Sequence, residues 1–443
     1  MGGLTTERCI NDIVYNNKPD YEPFIKLYKQ LHLNPELSHN ERTTAETLAT
    51  FLPTLCPDLK LHTNIGGHGV VAVIENGKGP KVLLRSEMDA LPVKEDSGLD
   101  YASTKTMVDT TLPSDHPDAK KEKPVMHACG HDMHMTALLA SAETLVSCRH
   151  QWSGTLILLF QPAEEKGDGA RIMLADNVYE KIGHTPDVLL AGHVMPYRAG
   201  YIGTRRGLMA SSADSLEITL FGRGGHSSLP QSCIDPVLLA AHTVVRLQSV
   251  VSREVGPAEQ AVITVASIHA GDAENVIPDT ATIKVDIRAI DPAIRSKVVA
   301  AVRRVVLAEA LASNCVREPE FQILRNFPIL ENDEAVTEAL EDTFRSYFGT
   351  EKGLFRKYAP GAPRVAGSED FGELASAIGK PACYWVYGAT DQEKWDELLK
   401  TGQLSEKSVA PNHSAKFAPA IMPTLEVGTE SNVVAALTWL LKR

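Results

Sequence analysis

The sequence predicts an α/β protein in two parts: a mostly parallel sheet covered by helices, and a smaller α+β body inserted into it. In the first half, short apolar runs typical of buried strands alternate with helical stretches. In the middle a βαββαβ order replaces that alternation. At 443 residues the chain is also too long for one ordinary core. The expected division is residues 1–210 with 327–443, and residues 211–326.

Taken in order, Pro23 to Leu55 reads as helix, turn and helix, broken at Asn34-Pro35, with Ser38, Thr43 and Thr44 available as caps. Gly69 to Ile74 and Val82 to Leu84 are apolar runs bounded by Gly, Asn and Pro, as buried strands are. Met133 to Val146 reads as a helix, and Thr155 to Phe160 and Val188 to Ala191 as strands. The texture changes near Ser212. Leu216 to Phe221, Ala261 to His269, Thr280 to Ala289 and Glu320 to Leu324 read as strands, with helices over Pro236 to Val251 and Pro292 to Leu311. Helices over Asp333 to Tyr347 and Glu369 to Ile378, a strand over Ala382 to Val386 and a helix over Asn432 to Leu441 resume the earlier style. No internal repeat or low-complexity tract interrupts them.

A composition of 43% hydrophobic and 23% charged residues is that of a globular protein. The net charge of -12 and the absence of a basic patch argue against a nucleic-acid partner. Lys120-Lys121-Glu122-Lys123 reads as part of a solvated surface loop, Thr104 to Lys123. No run of about 18 apolar residues is present, and Thr5 to Asp20 lacks a basic-then-apolar export arrangement, so neither membrane nor export is expected. The 7 scattered cysteines, without Cys-x-x-Cys spacing, suit reduced thiols in a cytoplasmic protein.

Polar residues concentrate at strand ends. His127-Ala-Cys-Gly-His-Asp-Met-His134 offers Cys129 and His131 as thiolate and imidazole at a loop-to-helix junction, suited to a first-row metal, or alternatively a buried cysteine beside a capping His-Asp pair. Gln161-Pro-Ala-Glu-Glu-Lys166 places Glu164 and Glu165 after an apolar strand, where open α/β sheets build their sites. One of them can bind metal while the other moves protons; a solvated Glu-Glu turn is the plainer reading. His193 follows another apolar strand, and His413 lies in Pro411-Asn-His-Ser414.

Those segments, from Leu31-His-Leu-Asn-Pro-Glu-Leu-Ser38 to Asn412-His-Ser-Ala-Lys-Phe417, resemble the aminoacylase and carboxypeptidase family of metal-dependent amidohydrolases, in the branch of hippurate and auxin-conjugate hydrolases. The resemblance spans nearly the whole chain. Its most specific part is Met126-His-Ala-Cys-Gly-His-Asp132 together with Gln161-Pro-Ala-Glu-Glu165. It implies hydrolysis of the amide bond of an N-acyl amino acid or similar small amide by metal-activated water. It further implies that Cys129 bridges two metals, that His131, Glu165, His193 and His413 are the other ligands, that Glu164 is the general base and that Asp89 supports the ligands. One or two divalent ions per subunit are implied; thiolate, imidazole and carboxylate suit Zn, and Mn, Co or Ni accept similar donors.

In the insert, Gly224-Gly-His-Ser-Ser228 is similar to the family's segment whose histidine, here His226, reaches a neighbouring subunit's site, which implies a homodimer through this body. Asn275 and Arg288 resemble groups that hold the substrate's carboxylate, a role that suits the planar guanidinium fork. Without the resemblance, Asp89 reads as a strand-end cap, Gly-Gly-His as a turn and Arg288 as a surface ion-pair residue. Three departures stand out. Glu87-Met88-Asp89 replaces the branch's Asp-Met-Asp, and the longer Glu87 would shift a hydrogen bond behind a ligand and weaken one metal. The loop before Pro124 is longer than in the branch, and Ala415 stands where proline is common. Two other readings remain: a thiol hydrolase using Cys129 and His131, and a relative that binds acyl amino acids with weak turnover, against which the presence of Glu164 beside every ligand counts.

Overall fold

The computed structural model describes residues 2–112, 118–349, 357–365, 367–405 and 407–442. The chain forms two compact units, Met1–Met209 with Glu331–Arg364 and Asp370–Arg443, and Ala210–Leu330 with Val365–Glu369.

The larger unit is built on an eight-stranded sheet in the order Lys60–Ile65, Gly69–Asn76, Gly154–Gln161, Lys81–Glu87, Val188–Arg198, Ala382–Thr390, Tyr201–Thr204, Lys357–Pro360. The four strands from Gly154–Gln161 to Ala382–Thr390 run parallel. Helices cover both faces, which is why Gly154–Gln161 is buried at every residue and reads as an unbroken apolar run. Parallel strands end along one edge, so the segments after Glu87 and Gln161 and the far half of Val188–Arg198 meet there.

The helix His131–Ser147 is buried nearly all round because it lies between the sheet and the helix Ile421–Leu440. It starts from Gly130 at φ 81°, where a Cβ would collide with the Val194 side chain. The junction that presents Cys129 and His131 therefore requires glycine.

The inserted unit is a four-stranded antiparallel sheet in the order Ala261–His269, Thr280–Ala289, Ser212–Phe221, Glu320–Phe327. Ala281, Ile283, Val285 and Ile287 alternate along the central strand and pack against the helices Pro236–Glu254 and Pro292–Ala312. Each helix begins with an Asp cap followed by proline: Asp235 accepts from the amides of Val237 and Leu238, and Asp291 from those of Ala293 and Ile294.

Several boundaries differ from the sequence reading. A helix, Gly2–Asn16, occupies the polar N-terminal stretch; Ile10, Ile13 and Val14 repeat at helical spacing and join the core. His193 lies inside a strand rather than after one, because Val188–Arg198 continues alongside Ala382–Thr390, with His193 opposite Val386. The last helix begins at Ile421, ten residues or so before the expected start, where Pro423 and Gly428 masked it and Met422 is non-helical. The helix expected from Glu369 is the shorter Phe371–Ser376. Short strands Thr106–Val108 and Glu122–Pro124 pair within the expected loop, whose residues 113–117 lie outside the described residues.

Candidate metal centre

His131 and His193 are each oriented by a backbone carbonyl. His131 Nδ1 donates to the Asp89 carbonyl at 2.8 Å, and His193 Nδ1 to the Val194 carbonyl at 2.8 Å. A carbonyl only accepts, so both rings carry a proton on Nδ1, which leaves Nε2 as the atom that can meet a metal. That of His193 lies 3.4 Å from Cys129 Sγ. Glu165 is placed by its own amide, which donates to Asp89 Oδ2 at 2.9 Å, and Ser38 Oγ donates to the same oxygen at 2.7 Å. Asp89 thus holds both His131 and Glu165. His413, at φ 68°, donates its amide to the Ala128 carbonyl at 2.8 Å and brings Nε2 to 3.3 Å from Glu165 Oε1.

Donor atoms of Cys129, Glu165 and His413 lie within 4.8 Å of one another, as do those of His131, Glu164 and Glu165. His131 Nε2 and Glu165 Oε1 are buried and make no hydrogen bond among the described residues. Buried polar atoms are rarely left so, and a divalent cation satisfies this pairing of imidazole, carboxylate and thiol. The residues present therefore fit a metal.

A third group joins Glu87, His131, His134 and His193. His134 has no nitrogen to offer: Nδ1 donates to Glu87 Oε2 at 2.8 Å and Nε2 accepts from the Val194 amide at 2.9 Å. Glu87 is also paired with Arg85, which donates to Gln161 Oε1 at 2.9 Å and Asp370 Oδ1 at 3.0 Å. The Glu87 carboxylate is thus committed to a buried network with His134 and Arg85.

Charge is distributed accordingly. Burial lowers His131, but hydrogen bonding to Asp89 and the charges of Glu87 and Glu165 outweigh it and carry the ring up to about 10. Carboxylates that hold a proton so firmly there also favour a cation. Burial, then the neighbouring His134, press His193 well below the usual histidine range and keep it neutral, the form that binds metals. Burial, then Glu165 and Glu164, push the Cys129 thiol up, the opposite of what a free nucleophilic cysteine needs.

Three supporting residues had no assigned role in the sequence reading. Glu41 accepts the Ala163 amide at 2.7 Å, and Ala163 at φ 54° turns the strand into the Glu164–Lys166 turn. His32 is buried between Asp132 at 2.7 Å and Glu95 at 2.9 Å. His134 stood inside the quoted octapeptide, and its spacing of three from His131 on one helix was the available signal.

In the inserted unit His226 is exposed. Its Nδ1 accepts from the Ser228 amide at 3.1 Å and lies 2.7 Å from Ser228 Oγ. It pairs with Val276 in a two-residue ladder, and the Ser227 amide donates to the Asn275 carbonyl at 3.0 Å, so the His226 and Asn275 segments lie side by side although a helix and a strand separate them in the chain. Arg288 donates through Nε to Asp286 Oδ2 at 2.8 Å and through Nη1 to Ser368 Oγ at 2.9 Å.

The chain matches the model of peptidase family M20/M25/M40 over residues 83–397. It is 38% identical over 356 residues to the hippurate hydrolase of Campylobacter jejuni, which covers 79% of this chain and 84% of that protein. It is 32% identical over 373 residues to an N-acetyl-L-cysteine deacetylase of Bacillus subtilis, covering 84% and 81%. A solved dinuclear metal binding peptidase of the M20 family from Bacillus subtilis aligns with a TM-score of 0.68 at 25% identity, over 94% of this chain and 97% of that one. Since the matched span takes in Cys129, His131, Glu164, Glu165 and His193, the chain belongs to peptidase family M20/M25/M40 and is a divalent-metal hydrolase of amide bonds.

Proposed function

We propose that the protein removes the acyl group from an N-acyl amino acid, with Cys129, His131, Glu165, His193 and His413 as the residues that would hold one or two divalent cations and Glu164 as general base. The observation that carries this reading is the convergence of buried Cys129, His131, Glu165 and His193 with the exposed His413, with His131 Nε2 and Glu165 Oε1 lacking hydrogen bonds among the described residues and a second carboxylate, Glu164, 4.0 Å from His131 Nε2. The relatives named for hippurate and N-acetylcysteine support the substrate class. The mixed donor set suits zinc, with manganese, cobalt or nickel as substitutes. When bound, the cations would bring a water pKa towards about 7 and polarise the amide carbonyl.

The chain's own part is positioning and proton transfer. Glu164 accepts a proton from the attacking water and returns it to the leaving nitrogen, which cannot depart as an amide anion. Asp89 keeps His131 and Glu165 in register. His226 stabilises the oxyanion, and Asn275 and the fork of Arg288 hold the substrate carboxylate. The larger unit, 1–210 with 327–443, is the metal-binding domain, and 211–326 is a dimerisation domain through which His226 serves the partner's site. Val262 and Ile268 on one edge strand, and Ile323 and Leu324 on the other, are exposed apolar residues that support pairing. A cytoplasmic location completes the proposal, supported by seven unpaired cysteines. Among the described residues no helix is long and apolar enough to cross a membrane.

Amine release from a panel of N-acyl amino acids tests the reading. A chelator should abolish turnover, zinc or manganese should restore it, and thiol alkylation should spare the metal-loaded protein. Sensitivity to alkylation with resistance to chelation would establish the thiol reading instead, which the raised Cys129 thiol disfavours.

A further inference from the structure

We infer that Asn412 is a positioning residue of the metal centre, tying together the segments that carry three of its ligands; this rests on the ligand assignment above. Asn412 Nδ2 donates to the Cys129 carbonyl at 3.2 Å and to the Val194 carbonyl at 3.1 Å, and lies 3.8 Å from Cys129 Sγ. Both carbonyls only accept, so only the amide nitrogen with its two hydrogens can face them.

The two acceptors belong to segments 283 and 218 residues away in sequence. One is the backbone of a ligand, Cys129. The other is the same Val194 carbonyl that fixes the His193 ring through Nδ1. The next residue, His413, is itself a ligand, and its amide is held by the Ala128 carbonyl. The dipeptide Asn412-His413 therefore grips the Cys129 loop twice and the His193 strand once. Ligand atoms held before the cation arrives bind it more tightly than atoms that must be gathered. Removing the Asn412 amide leaves the Val194 carbonyl with His193 alone and lets the Cys129 and His193 segments move independently. An aspartate there would set a carboxylate against two carbonyl oxygens and the sulfur.

The test uses the full chain loaded with cobalt(II), measuring affinity by competition with a chelator, the thiolate-to-cobalt absorption band, and melting temperatures with and without metal. Asn412→Ala should bind cobalt about 10- to 100-fold more weakly, as loss of a group behind a ligand does. Its band should shift while its metal-free melting temperature changes little. Asn412→Asp should fall further than Asn412→Ala, and Asn412→Gln, which keeps both donors, should recover part of the affinity. Cobalt affinity and band within about twofold of wild type in both the alanine and aspartate variants would overturn the inference. So would equal falls in the metal-free and cobalt-loaded melting temperatures at unchanged affinity, which would mark a purely structural role. A wild-type protein without a thiolate band would reject the Cys129 assignment itself and this inference with it.

Discussion

Two buried histidines of the larger unit and one exposed histidine of the inserted unit are held in contrasting ways. His131 and His193 in the larger unit are buried, and each has Nδ1 committed to a backbone carbonyl 2.8 Å away, so the remaining nitrogen has one direction. His226 in the inserted unit is exposed, and among the described residues its Nδ1 is met only by Ser228, two residues on. Acids differ likewise: Asp89 and Glu87 are buried within networks, whereas Asp286, beside Arg288, is half-buried on a sheet. A group that must grip an ion is fixed in advance, because gathering ligands costs affinity. A group that meets a substrate transiently can be left loose and completed by what arrives. The larger unit holds its buried histidines in fixed directions, whereas the exposed His226 is free of such contacts apart from Ser228 among the described residues.

Four experiments sharpen or break this contrast. The largest effect is expected at Glu164: Glu164→Gln should lower kcat by at least ~100-fold, the usual contribution of a positioned acid/base, with the melting temperature unchanged. Near-normal turnover would remove Glu164 from the chemistry. On the other side, His226→Ala should lower turnover without touching metal affinity. Mixing it with inactive Glu164→Ala subunits should return about a quarter of wild-type activity, since half of the dimers are mixed and one of two sites in each is intact. No recovery after demonstrated subunit exchange would contradict service across the dimer.

A smaller effect is expected at Arg288. Arg288→Ala should raise KM for carboxylate substrates about tenfold or more while sparing the matching carboxamides, since only the carboxylate uses the fork. Equal losses on both would place Arg288 in the sheet's own ion pairs with Asp286.

The smallest effect concerns pH and His32. Burial lowers this ring, but hydrogen bonds to Asp132 and Glu95 outweigh it and raise it from 6.5 to about 10. A raised folded-state value means that its contribution to stability is full below pH 6.5 and is lost as the pH climbs towards 10. The gap in melting temperature between metal-free wild type and His32→Gln should therefore be widest below pH 6.5 and narrow on the alkaline side. A gap that stays flat through that window would show that the ring is neutral between its two carboxylates.

The contrast also accounts for what the sequence made legible. Cys129, His131 and the Glu164-Glu165 pair stand as dense polar runs beside apolar elements, and their chemistry shows without the fold. Glu41 carries no such mark, and although His134 and Asn412 stand in those polar runs, what they do depends, as for Glu41, on register between distant segments: Glu41 with Ala163, His134 with Glu87, Asn412 with Val194. The place of His193 inside its strand was hidden for the same reason, since pairing with Ala382–Thr390, not local apolarity, sets the strand's length. In the insert, the order of helices and strands was plain. The ladder that sets His226 opposite Val276 joins segments far apart in the chain and could not be read from either one.

Metal content tests the account most directly. Elemental analysis of purified Glu164→Gln, Glu165→Gln and His413→Ala, each beside wild type, separates the base from the ligands. Glu164→Gln should keep the wild-type metal-to-protein ratio, while Glu165→Gln and His413→Ala should each fall well below it. A full complement of metal in both ligand variants, or its loss from Glu164→Gln alone, would contradict the assignment.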